Sequence, residues 1–67
     1  MTANHYHVTR SRTGRIVEGW TCDEPGEQPG SWGQPESVVI DATGCDDDEA
    51  SRRAHARLVQ VFGEAMV

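Results

Sequence analysis

The sequence predicts a small α+β domain: a three-stranded, mainly antiparallel sheet packed by one C-terminal helix, in the order β-β-loop-β-α. Three observations carry this. Residues 5–22 alternate apolar and polar side chains about a Gly-containing turn. Residues 37–42, Ser-Val-Val-Ile-Asp-Ala, form a short β-branched run. Residues 46–66 place apolar side chains at helical spacing behind an acidic start. The chain has 67 residues, enough for one domain. A core of this size rarely supplies more than roughly 3–5 kcal/mol, so self-association or a partner would add stability.

In the first element, one arm is His5-Tyr6-His7-Val8-Thr9-Arg10 and the other runs from Arg15 to Cys22. A three-residue loop Arg12-Thr13-Gly14 puts Gly14 at the left-handed position of a type I turn with a bulge. That register sets Tyr6 near Trp20, Val8 near Glu18 and Arg10 near Ile16. Tyr6, Val8, Ile16 and Trp20 then share an apolar face, and His5, His7, Thr9 and Val17 share the other. A two-residue turn at Thr13-Gly14 would pair His7 with Trp20 and split the apolar set.

Residues 23–36 read as a loop without ladder pairing. They hold Pro25, Pro29 and Pro35 with three glycines, and Trp32 at the centre. Trp32 either folds back onto the core or stands out as an anchor for a partner. The strand at 37–42 is apolar on both faces at Val38-Val39-Ile40, which suits a central position. Its second face offers a place for a copy of the chain to pack.

The helix is expected over 46–66. Asp46 with Glu49 makes a capping box, and Cys45 staples onto Ala50. Asp47, Asp48 and Glu49 set negative charge on the positive end of the helix dipole. Ala50, Ala54, Leu58, Val61, Phe62 and Ala65 form one apolar stripe. Asp48–Arg52 and Glu49–Arg53 are i,i+4 pairs in the favourable order. Gly63 weakens the last turn.

Charge is segregated. The formal net charge is −5. Residues 21–50 hold nine acids and no basic residue: Asp23, Glu24, Glu27, Glu36, Asp41, Asp46, Asp47, Asp48 and Glu49. Arg10, Arg12 and Arg15 lie before this segment; Arg52, Arg53 and Arg57 lie after it. All six basic residues are Arg, a bias that suits a GC-rich genome, such as an actinobacterium or a virus infecting one. The absence of Lys removes Schiff-base chemistry.

Several classes are excluded or disfavoured. There is no room for a nucleotide-binding α/β domain, and no apolar run approaches the ~20 residues that span a bilayer. No signal segment opens the chain, so a cytoplasmic protein with free Cys22 and Cys45 is expected. His5, His7, Cys22 and Cys45 make a four-ligand set whose spacing fits no zinc module, and no metal or other cofactor is expected. His7 and Cys22 are neighbours in the hairpin but lack an orienting group and an oxyanion site.

The stretch Thr43-Gly44-Cys45-Asp46-Asp47-Asp48-Glu49-Ala50, entering an amphipathic helix after a hairpin and a short strand, resembles the N-terminal partial-RNase-H-like domain of HicB-type antitoxins. Cys22-Asp23-Glu24-Pro25-Gly26 is similar to the Pro-Gly segment after the second strand of those proteins. The likeness covers about half the chain. A long loop separates the Pro-Gly pair from the helix here, and no strand follows the helix. The resemblance is one of topology and implies an antitoxin-type regulatory domain.

Two functions are expected from the residues themselves. The first is a non-enzymatic protein-binding module, a regulator or inhibitor carried by a phage or mobile element. Its acidic segment would meet a basic partner surface, such as that of a nucleic-acid-binding protein, through Asp46, Asp47, Asp48, Glu49 and Trp32. The second is nucleic-acid binding through Arg10, Arg12 and Arg15 at the hairpin tip. Self-association as a homodimer fits either.

Overall fold

The computed structural model describes residues 3–28 and 35–63. Four strands and one helix follow in order: β1 (His5–Arg10), β2 (Ile16–Thr21), β3 (Gly26–Gln28), β4 (Glu36–Asp41) and α1 (Asp47–Phe62). The strands form one antiparallel sheet in the order β2-β1-β4-β3, with α1 packed on one face. The α+β class and the C-terminal helix are as expected; the strand count is four rather than three.

The hairpin adopts the register that keeps its apolar face together. Tyr6 pairs with Trp20, Val8 with Glu18 and Arg10 with Ile16. The turn closes through Ser11 N–H to Arg15 O and Gly14 N–H to Ser11 O, both 2.9 Å. Gly14 sits at φ 90°, a conformation that costs a side-chain-bearing residue energy.

The fourth strand lies inside the segment expected to be a loop. Gly26, Glu27 and Gln28 pair with Val39, Val38 and Ser37. Pro25 and Pro29 flank these three residues without falling among them, so every paired residue keeps its N–H. An edge strand also needs a ladder on one side only. The missing prolines between positions 25 and 29 therefore mattered more than the proline count of the whole segment. Trp32 lies outside the described residues.

β4 takes the expected central place between β1 and β3, displaced by one residue toward Glu36. Val38 is fully buried under the helix, while Val39 points to the opposite face. The strand ends in a tight turn, with Cys45 N–H bonded to Ala42 O at 3.0 Å and Gly44 at φ 83°.

The helix begins where its cap predicts. Asp46 is the N-cap, and its Oδ1 accepts from Glu49 N–H at 2.8 Å. The Glu49 side chain does not close the box; it takes Cys45 Sγ–H at 3.3 Å and Arg53 at 3.1 Å. The helix stops at Phe62 with Gly63 as C-cap, φ 86°. It is shorter than the 46–66 expected, and Ala65 lies outside the described residues. Ala50, Ala54 and Leu58 are buried and Phe62 packs at the margin. Val61 is exposed, against expectation. The helix crosses the sheet so that contact follows the i+4 row from Ala50 to Phe62, and Val61 turns away from it.

The core is Tyr6, Val8, Val38, Ala42, Ala50, Ala54 and Leu58. Trp20 packs against it, with the Tyr6 and Trp20 rings edge-to-face at 5.3 Å between centroids. That geometry suits the aromatic quadrupoles. The other face of the sheet carries His5, His7, Thr9, Val17 and Val39, and no described element covers it.

Candidate functional site

The register brings separated acids to one end of the molecule. His5 pairs with both Thr21 and Asp41, so the start of β1 and the ends of β2 and β4 lie together. The turn at Ala42–Cys45 then returns the chain into the N-terminus of α1 at that same end. Residues 22–25 must cross the same end, because β2 and β3 are opposite edges of the sheet. Asp23, Glu24, Asp41, Asp46, Asp47 and Asp48 therefore share one pole. All six are exposed.

Local donors bond to Asp41 and Asp47. The Thr43 hydroxyl donates to Asp41 Oδ1 at 2.6 Å and the Thr43 amide at 3.0 Å, which hold Asp41 below its ordinary pKa. Asp47 Oδ1 accepts the Trp20 indole N–H at 2.7 Å, tying β2 to the first helical turn. Asp48 stands exposed beside them.

The hairpin tip lies at the opposite end. Arg12 and Arg15 are exposed there. Arg10 does not join them, which corrects the expected three-arginine set. It points inward from β1, is 7% exposed, and donates Nε and Nη2 to Glu36 Oε1 at 3.0 and 2.8 Å. Its Nη2 also reaches Gly63 O at 3.0 Å. A cation thus meets the last carbonyls of the helix, where the dipole is negative.

Between the poles is a polar cluster that the residue-by-residue reading missed. Glu18 faces the helix, and its Oε1 accepts from Tyr6 Oη at 3.0 Å and from Ser51 Oγ. Its Oε2 lies 2.9 Å from His55 Nε2. The Ser51 bond foremost, then the His55 bond, lower the Glu18 pKa to about 2. Burial first, then the bond to Glu18, raises that of Tyr6. The hairpin register implies the cluster, because it sets a carboxylate opposite Val8 on the core-facing side. A helix with Ser and His four residues apart can meet such a group with both side chains.

This cluster is arranged as a latch. Ser51 donates to the Glu18 carboxylate rather than to His55, so His55 is not positioned to take the hydroxyl proton. A carboxylate with a pKa near 2 is also a weak base at neutral pH. Cys45 is no better placed: burial and the Glu49 carboxylate raise its thiol pKa, which disfavours thiolate. Cys22 and Cys45 are both free thiols. His7 lies against Gly19 on the uncovered sheet face, whereas Cys45 sits beside the helix cap. Among the described residues no group of three or more His, Cys, Asp or Glu side chains is gathered to hold a metal ion. No helix among them is long and apolar enough to cross a membrane.

No protein-family model, curated protein or solved structure matches the chain.

Proposed function

We propose that this chain is a non-enzymatic protein-binding module, a small regulator or inhibitor, that docks its acidic pole onto a basic surface of a partner protein. One observation carries the reading. Asp23, Glu24, Asp41, Asp46, Asp47 and Asp48 come from three separate segments, and the sheet register collects them at one end. The exposed arginines of the hairpin tip stand at the other end. Such a dipolar charge layout steers association and selects orientation more than it stabilises a fold. A nucleic-acid-binding protein has the kind of surface that fits.

The nucleic-acid reading is less well supported. It loses Arg10 to the pair with Glu36 and retains two exposed arginines on an acidic chain. The discriminating experiment is native mass spectrometry of the untagged protein purified with its bound partners. A stoichiometric complex with a basic protein that dissociates as salt rises is the expected result. A duplex or single strand bound at low salt, in a manner lost on Arg15→Ala, would replace this reading with the other.

A further inference from the structure

We propose that β3 is a strap that opens apart from the rest of the fold, and that its closure draws Asp23 and Glu24 into the acidic pole. The effect on the pole rests on the function proposed above; the strap itself does not.

The two edges of the sheet are fastened differently. β2 is tied to the helix by side chains: Trp20 bonds to Asp47 and packs on the core, and Glu18 bonds to Ser51 and His55. β3 is three residues long with all three exposed, so it buries no apolar side chain. Glu27 pairs with Arg57 of α1, but these side chains are 38% and 42% exposed. An ion pair so open to water contributes little.

The ladder to β4 is short as well. Ala42 N–H bonds to Asn4 O at 2.9 Å, and antiparallel bonding alternates by two, so Val38 and Ile40 bond to β1. The N–H and C=O groups of Ser37 and Val39 then face β3, opposite Gln28 and Gly26. Two residue pairs therefore hold the strand. A segment with few buried contacts and a short, exposed ladder lies at the low end of local stability.

Opening reaches the pole because the connection from β2 is short. β2 and β3 are opposite edges of the sheet, three strand spacings or ~14 Å apart. The five steps of chain from Thr21 to Gly26 reach ~18 Å at most. With Thr21 paired to His5 and Gly26 to Val39, residues 22–25 have little slack and run across the end of the sheet. Asp23 and Glu24 lie on that run. When β3 lets go, one anchor of the run is lost, and two of the six carboxylates are free to leave the pole. A partner that engages all six then binds the closed form and holds the strap shut.

Amide hydrogen exchange of the full chain, followed by nuclear magnetic resonance, tests the strap without a partner. β4 carries its own control, since its alternate amides face different neighbours. Val39 N–H should exchange at least about tenfold faster than those of Val38 and Ile40, each corrected for its intrinsic rate. Gly26→Pro removes the N–H that faces Val39, and should strip protection from Val39 while Val38 and Ile40 keep theirs. Equal protection along β4 overturns the proposal, and so does a Gly26→Pro variant in which all three amides lose protection together. The effect on the pole is read with a deca-arginine peptide at low salt. Gly26→Pro should weaken its binding about fivefold, as should Asp23→Asn with Glu24→Gln. Wild-type affinity in Gly26→Pro overturns the link between strap and pole. A wild-type chain that ignores the peptide, yet shows uneven exchange in β4, overturns the docking function and upholds the strap.

Discussion

Arg10 and Glu36 face each other across the β1–β4 ladder, and the Arg10 guanidinium reaches past Glu36 to the carbonyl of Gly63. One side chain therefore joins two central strands to the end of the helix. The Arg10 side chain is 9% exposed and that of Glu36 27%. A buried pair is weak evidence of net stabilisation, because desolvation offsets attraction, but removing one partner leaves a charge stranded. Arg10→Met should destabilise by about 2–3 kcal/mol, below the figure for a fully buried pair because Glu36 still sees water. Arg10→Met with Glu36→Leu should cost less than Arg10→Met alone. Urea unfolding of the three proteins checks this, and equal losses in single and double variants would refute it.

Glu18 makes stability depend on acid in a definite direction. Its folded pKa of about 2 lies below the ordinary 4.5. A depressed carboxylate pKa contributes stability that is fully present above the unfolded value. That contribution is lost as pH falls from about 4.5 toward 2. Part of the group is exposed, so salt screens it and the net effect should stay below about 1 kcal/mol. Melting temperatures of the wild-type chain and Glu18→Gln should converge across that pH window. A Glu18 carboxyl titrating near 4.5 by nuclear magnetic resonance would rule the latch out.

Among the described residues Leu58 is the largest side chain that is fully buried, and it closes the helix against Val8 and Val38. Leu58→Ala should cost about 2–4 kcal/mol through lost transfer energy and a residual cavity. In a domain whose whole stability is of the order of 5 kcal/mol, this should leave a large unfolded fraction at 25 °C. Val61→Ala, three residues on, should change stability by less than about 0.5 kcal/mol. Comparable losses at the two positions would contradict the rotation of Val61 away from the sheet.

How far these features could be read from the chain depended on how local their causes are. The hairpin register was legible because only one alignment keeps Tyr6, Val8 and Trp20 on one face. The helix start was legible because Asp46 satisfies backbone donors three residues away. β3 was obscured because prolines around Gly26–Gln28 suggested an unpaired loop, and strand pairing with β4 is a tertiary fact. Arg10 lies near the tip in sequence, but the strand period points it inward with Tyr6 and Val8, and its partner lies 26 residues distant. The acidic pole was visible only as a run in sequence. Its grouping with Asp41 and Asp23 required the sheet order.

Asp46 and Asp48 separate the two roles that this acidic end combines. Asp46 caps the helix, and Asp46→Ala should cost about 1 kcal/mol of stability by leaving Glu49 N–H without its acceptor. Asp48 makes no such bond, and Asp48→Lys should cost less than about 1 kcal/mol, through the helix dipole alone. If the pole serves only to start the helix, partner affinity should follow stability, and Asp46→Ala should be the more damaging change. If the pole is the docking surface, the order reverses: Asp48→Lys should weaken the complex and flatten its dependence on salt, while the folded fraction stays near wild type. Paired denaturation and binding titrations at two salt concentrations resolve the two cases.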